Sequence, residues 1–236
     1  MNVFVSGGSQ GIGKAVVERF CSSNGNIIHY TYNSHVDAAL KIKEFISESG
    51  NRPISMHLDV TNREEIKKIK NTVEGKIDCL VNCFGILRDR TLKNMTDEEL
   101  DLVIDVNLKG MLLTTRALLP YLNDGGCIIN MTSMIGILGN FSQTSYAASK
   151  AGVIAFSKSL AKELAKNRIR VVTVAPSLVD TAIFKNLTLE QKEKLINRTL
   201  IGRMATPIEI ADLIYFVATK GTYFNGDCIE VSGGFT

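Results

Sequence analysis

Short runs of neighbouring apolar or β-branched residues at 3–6, 27–32, 53–58, 79–82, 127–131, 170–175 and 227–231 interrupt longer stretches with helical spacing. These runs are apolar on consecutive positions, the pattern of strands buried on both faces of a parallel sheet. Between them, 14–21, 38–47, 63–73, 98–122, 145–165 and 208–219 repeat apolar residues three or four apart and predict helices. Strand and helix alternate throughout, which predicts an α/β fold: a single-domain doubly wound parallel sheet, Rossmann-like, with helices on both faces. No repeat, low-complexity tract or Pro/Ser-rich linker divides residues 1–236, so one domain is expected.

Two of the predicted helices carry little polar surface. Ala147, Ala151, Val153, Ile154, Phe156 and Leu160 leave a narrow charged stripe on one, and Leu108, Met111, Leu112, Leu113 and Leu118 repeat the pattern on the other. One sheet face cannot cover both surpluses. The pattern predicts burial against further copies of the chain, a homo-oligomer with a tetramer favoured.

Composition narrows the function. Hydrophobic residues make up 45% and charged residues 22% of the 236, the balance of a chain that buries a substantial core. The net charge of +3 comes from 27 basic and 24 acidic residues without a long block of either sign. The densest basic stretch, Lys67, Lys68 and Lys70, adjoins Glu64 and Glu65 and reads as a solvated helix face, so neither nucleic acid nor a membrane is expected as partner. An uncharged apolar run of ~18 residues is absent, and the first strand-like residues follow Met1 without room for a leader. A cytoplasmic location is expected. The five cysteines are odd in number and lack a CxxC pair, and Cys79 and Cys83 have no second pair or nearby histidine to complete a metal site. They read as reduced thiols, and no metal is expected.

A glycine-rich turn, Gly7-Gly8-Ser9-Gln10-Gly11-Ile12-Gly13, joins the first predicted strand to the first helix. In that setting Gly7 permits the tight turn, Gly11 lets backbone approach a pyrophosphate, and Gly13 allows helix and strand to pack closely. The free N–H groups of the helix start favour an anion. The second strand ends in Asn33-Ser34 without the acidic residue that would bind a free ribose 2′-hydroxyl and repel a 2′-phosphate, which favours NADP(H), with NAD(H) the alternative. Tyr146 and Lys150 are four residues apart on one helical face. A phenol titrates near ~10, and an adjacent ammonium is expected to lower that value toward useful acid/base chemistry. A surface Tyr/Lys pair would show the same spacing.

The GxxxGxG spacing resembles the short-chain dehydrogenase/reductase family, with Ser6 where that family commonly has threonine. The resemblance extends along essentially the whole chain. It implies a catalytic role for Ser133 in Asn130-Met131-Thr132-Ser133, beside Tyr146 and Lys150, and for Asn107, whose family counterpart holds a water linking the lysine to solvent. It also implies cofactor contacts at Ser9, Gln10 and Ile12, at Asp59-Val60, at Asn82 and Gly85 of Asn82-Cys83-Phe84-Gly85, and at Pro176, Val179 and Thr181. Asp59 reads equally as a helix cap. Gln10 stands where phosphate-binding relatives often carry arginine, leaving Lys14 as the nearby cation, and Ser177 replaces a usual glycine, so strain is expected there.

Within the family, 85–89, Met95, 202–204 and 207–211 look most like 3-oxoacyl-(acyl-carrier-protein) reductases of fatty-acid synthesis. That implies NADPH-dependent reduction of a 3-oxoacyl thioester linked to a carrier protein or coenzyme A. The alternatives are an enzyme of another alcohol or ketone, of sugar, polyol or polyketide type, and a non-catalytic cofactor-binding scaffold. Residues 121–126, just before the fifth strand, lack the basic side chains with which relatives dock an acidic carrier, although Lys166 and Arg168 are near in sequence. Residues 182–204, with apolar Ile183, Phe184, Leu187, Leu195 and Ile196, are expected to fold as a helical lid over the substrate.

Overall fold

A computed structural model describes residues 1–184 and 187–235, with the side chain of Ile183 excepted. Seven parallel strands form one sheet: β1 (Asn2–Ser6), β2 (Ile27–Tyr32), β3 (Arg52–His57), β4 (Ile77–Asn82), β5 (Leu122–Met131), β6 (Arg170–Pro176) and β7 (Cys228–Val231). Their order is β3-β2-β1-β4-β5-β6-β7. The predicted doubly wound α/β architecture is therefore present.

Both faces of the sheet are buried because successive residues of one strand serve different cores. Val3 and Val5 of β1 pack with α1 (Gly11–Phe20), α2 (Val36–Glu48) and, late in the chain, a helix at Pro207–Thr219. Phe4, between them, belongs to the opposite core with Leu80, Ile128 and Ile66 of α3 (Arg63–Lys68). This is why the strands read as unbroken apolar runs.

The predicted helix over 98–122 is the main departure. It divides into α4 (Asp97–Ile104), a π-helical segment (Asp105–Gly110), α5 (Met111–Leu118) and a short 3-10 turn, and Leu122 already belongs to β5. Thr96 and Glu99 form a capping box that starts α4. The π segment inserts a wider turn at Asn107, and such turns often mark functional positions. Downstream lie α6 (Ile135–Leu138), the long α7 (Thr144–Glu163), α8 (Leu189–Ile196) and α9 (Pro207–Thr219). The expected lid over 182–204 is thus helical only at a 3-10 turn (Ala182–Phe184) and in α8, and Lys185 and Asn186 lie outside the described residues. Among the described residues no helix is long and apolar enough to cross a membrane.

One buried titratable group belongs to the fold rather than to any site. His29 on β2 is 1% exposed, stacks on Phe4 with ring centroids 5.7 Å apart, and makes no well-formed hydrogen bond through either ring nitrogen. Burial pushes its pKa down to about 4, only partly offset by Glu74 and the carbonyl of Thr72. A depressed folded-state value means that the neutral ring stabilises the fold fully above about pH 6.5 and loses that contribution as the pH falls toward 4. His29→Leu should therefore remove about 3 kcal/mol of acid-induced destabilisation between pH 6.5 and 4, read as a flatter pH dependence of denaturant unfolding. An unchanged slope would rule out this assignment.

Candidate active site

The connections leaving β1 and β4 pass to opposite faces of the sheet, and a crevice opens above the C-terminal ends of these neighbouring strands. It has two lobes of about 310 and 320 Å³ that share Ile12, Cys83, Phe84, Gly85, Ile86 and Thr181. The first lobe is lined by the glycine turn and by Asn33, Ser34, Asp59 and Val60. The second is lined by Ser133, Tyr146, Lys150, Pro176 and Val179.

Close packing shapes the turn. Gly7 has φ +75°, and a Cβ there would press on the Phe84 backbone at 2.9 Å. A Cβ on Gly13 would overlap the Gly7 carbonyl oxygen, so α1 could not approach β1 as it does. The Gly7 N–H donates to Thr31 Oγ1 at 3.0 Å and the Gly8 N–H to the Thr31 carbonyl at 2.9 Å, which fixes the turn to β2. Gln10 starts α1 without a side-chain cap, leaving first-turn N–H groups directed at the lobe's anion position. This cradle of close backbone approach and free first-turn N–H groups fits a dinucleotide pyrophosphate.

The second lobe gathers the expected catalytic groups. Ser133 follows the end of β5; its Oγ accepts from the Ile135 N–H at 3.2 Å, and it lines the same lobe as Tyr146. Lys150, one turn further along α7, is 3% exposed; its Nζ donates to the Met131 carbonyl at 3.1 Å and lies 5.8 Å from the Tyr146 ring centroid. The Thr132 hydroxyl donates to the Lys150 carbonyl at 2.8 Å, pinning α7 to β5. A Cβ on Gly136 would meet Lys150 backbone at 2.8 Å, so a glycine that sequence reasoning passed over sets how closely α6 approaches α7.

Several expectations are corrected. The Tyr146 phenol is raised rather than lowered: burial pushes its pKa above the ordinary value, Ser133 pulls it down, and Asp89 pushes it up. Burial also lowers Lys150 itself to about 8, with the Cys83 thiol acting in the other direction. The Asn107 side chain is engaged by the backbone of the loop after β4. It lies outside both lobes, accepts from the Ile86 N–H at 2.7 Å and donates to the Ile86 carbonyl at 2.8 Å, which holds the loop after β4. Asn82 is fully buried and does not line the crevice; it accepts from Ser6 at 2.8 Å and donates to Asn130 at 2.8 Å and Thr115 at 3.0 Å. Gly13 packs below the crevice without lining it. Asp59 Oδ1 accepts from the Thr61 N–H and hydroxyl in the turn before α3, whose cap is Asn62, so Asp59 is not the helix cap. Ser177 avoids left-handed backbone and is unstrained, its hydroxyl donating to the Ser232 carbonyl at 2.7 Å.

Other lining residues were not anticipated. Asp89, Asn140, Gln143 and Arg198 edge the second lobe, and His35 edges the first. Asp89 and Gln143 had a usable signal: one follows a strand's C-terminal end, and the other precedes Tyr146 by one helical turn. Arg198 had none, because the path of residues 182–204 over the sheet is a tertiary property.

A family model described as Enoyl-(Acyl carrier protein) reductase matches residues 7–236. The chain belongs to the short-chain dehydrogenase/reductase family. This family member is an NAD(P)-dependent oxidoreductase. It is 38% identical to the 3-oxoacyl-(acyl-carrier-protein) reductase FabG of Thermotoga maritima over 98% of this chain and 95% of that protein. Among solved structures it resembles a blue fluorescent protein from a metagenomic library in complex with NADPH (TM-score 0.93, 27% identity, 100% and 97% of the two chains). It also resembles the angucycline C-6 ketoreductase LanV with bound NADP (TM-score 0.93, 27% identity, 99% and 94%).

The Asn82 correction carries a test in this short-chain dehydrogenase/reductase. Asn82→Ala removes the acceptor of the Ser6 hydroxyl at 2.8 Å and the buried donor to Thr115 Oγ1 and Asn130 Oδ1, and should cost about 2–4 kcal/mol of stability, measured by denaturant unfolding. A loss below about 0.5 kcal/mol would show that the network does not hold the strand ends together.

Proposed function

We propose that the protein is an NADPH-dependent carbonyl reductase that converts a 3-oxoacyl thioester to its 3-hydroxyacyl form. The observation carrying this reading is the placement of Ser133, Tyr146 and Lys150 together in a largely apolar lobe that adjoins the lobe lined by the glycine turn. Two hydroxyls lining one lobe suit a carbonyl oxygen, and Leu87, Ile135, Leu178, Phe184 and Leu195 suit an acyl chain. The 3-oxoacyl-(acyl-carrier-protein) reductase among its relatives and the NADPH and NADP of its structural neighbours support the same reading.

Gly7, Ser9, Gly11 and Ile12 would hold the pyrophosphate, Asn33 and Ser34 the adenosine side, and Pro176, Val179 and Thr181 the nicotinamide end. Bound NADPH supplies the hydride. Ser133 and Tyr146 orient the substrate carbonyl, and Tyr146 gives its proton to the forming alkoxide. Lys150 stabilises the phenolate left behind, and Asn107, by holding the Ile86 peptide, keeps the loop against Lys150. The thioester's carrier is an acyl-carrier protein or coenzyme A. Asp124, tied to Asn167 at 3.0 Å, stands where relatives carry basic groups, so steering of an acidic carrier falls to exposed Lys166 and Arg168. The protein acts as a homotetramer, which would cover exposed Leu102 and the outer alanines of α7.

Tyr146→Phe should reduce NADPH oxidation with acetoacetyl thioesters by at least about 10²-fold, the usual worth of a general acid, and unchanged turnover would refute the role. Comparing carrier-protein, coenzyme A and unconjugated ketone substrates by kcat/KM ranks the substrate readings. The active free protein needs Lys150 charged, so kcat/KM for NADPH should fall as pH rises past about 8. A profile flat to pH 10 would overturn that requirement.

A further inference from the structure

A third apolar cluster, separate from both sheet cores, buries Leu178 and Phe235 with Ile135, Phe184 and Leu195 packed against them, and all five line the substrate lobe. The two arms of a 3-oxoacyl thioester differ in kind. The thioester arm leads to a polar, bulky carrier and must leave through the mouth, where exposed Asp89 and its partner Gln143 offer a polar edge. The apolar cluster is left for the acyl arm.

Within that cluster Phe235 is fixed from three sides. β7 ends at Val231, and Gly233 and Gly234, with φ of +61° and +71°, turn the chain back so that the Phe235 N–H donates to the Ser232 carbonyl at 3.2 Å. The same carbonyl accepts from the Ser177 hydroxyl at 2.7 Å, which ties the turn to the residues after β6. The turn is also wedged against the segment following α8: the Ile201 N–H donates to the Gly233 carbonyl at 3.1 Å, and a Cβ on Gly234 would stand 2.6 Å from Leu200. Phe235 itself is 8% exposed, and the Arg198 guanidinium lies 4.2 Å from its ring centroid while reaching Asn140 Oδ1 at 3.4 Å.

We propose that Phe235 is the stop that limits the length of the acyl chain this enzyme reduces. The inference rests on the 3-oxoacyl reading above and adds the size class of the substrate, short chains. A lobe of about 320 Å³ must admit the nicotinamide as well, so little room remains before a growing chain meets the ring. The ring cannot withdraw without breaking the glycine turn or the guanidinium stack, so each further methylene presses on packed atoms.

The test compares kcat/KM at saturating NADPH for 3-oxoacyl thioesters of four, eight and twelve carbons, on coenzyme A and on acyl-carrier protein. It uses the full chain and its Phe235→Ala and Phe235→Leu variants. The parent should lose at least about tenfold between four and twelve carbons. Phe235→Ala should raise the twelve-to-four ratio at least about tenfold, and Phe235→Leu should raise it by a smaller factor. NADPH affinity within about twofold of the parent's identifies a folded variant, and the leucine decides the matter if the alanine chain does not fold. A flat profile in the parent, or a ratio that does not move in a folded Phe235 variant, overturns the stop and leaves the 3-oxoacyl reading standing. A parent that oxidises NADPH with none of these thioesters overturns that reading, and the stop with it.

Discussion

A chain of buried side chains spans the middle of the sheet: Ser6 donates to Asn82, Asn82 to Asn130, and Asn130 to Ser157, which returns its hydroxyl to the Val153 carbonyl. It links the last residues of β1 and β4 to β5 and then to α7. Each member is essentially without solvent contact, so every missing partner would leave a polar group stranded in low dielectric. The glycine turn begins one residue after Ser6, the loop carrying Gly85 follows Asn82, Ser133 follows Asn130 by three, and Tyr146 and Lys150 lie on the helix that Ser157 anchors. The relative placement of cradle and catalytic groups therefore depends on this hydrogen-bonded row more than on any single contact within the crevice.

The same exclusion of water sets the electrostatics. Burial raises the Tyr146 phenol and lowers Lys150 to about 8, so both groups are pushed toward their neutral forms. A neutral phenol is the form a general acid needs, while a charged lysine is what its conjugate base needs. The carbonyl of Met131 accepts from Lys150 Nζ, and Gly85 packs beside that nitrogen so tightly that a Cβ would stand 3.3 Å away. The lysine is thus held in place by packing and one hydrogen bond, and its charge becomes favourable as negative charge develops on the phenol.

Much of this was legible because it is local. Unbroken apolar runs such as 127–131 reported strands buried on both faces, and the glycine pattern reported a turn in which Gly7 and Gly13 are required by backbone contacts and Gly11 by its φ of +53°. The spacing of Tyr146 and Lys150 likewise needs only a helix. What escaped was tertiary. The π turn at Asn107 exists because that amide reaches across to Ile86, 21 residues earlier, and no periodicity announces it. The direction of the phenol's shift was misread because proximity to a cation is visible in sequence and desolvation is not. Ser177 looked strained only on the assumption that its position needs a glycine's backbone angles.

The polar edge of the apolar lobe shows why reaction class is easier to read than substrate. Asp89 accepts from Gln143 at 2.9 Å, Gln143 accepts from Asn140 at 2.9 Å, and Arg198 reaches Asn140 at 3.4 Å while stacking on Phe235 at 4.2 Å. Four segments distant in sequence meet there: the loop after β4, the turn before α7, the residues after α8 and the end of the described chain. Their donors and acceptors already satisfy one another, so a ligand gains little by replacing them and is selected mainly by shape and by the apolar wall beneath. In the proposed reaction the reacting end differs, because the Ser133 and Tyr146 hydroxyls would gain a stronger acceptor as an alkoxide forms. In the proposed reaction, chemistry would thus be specified by groups whose interactions strengthen along the reaction, and the remainder of the substrate by an apolar surface that does not depend on particular polar contacts.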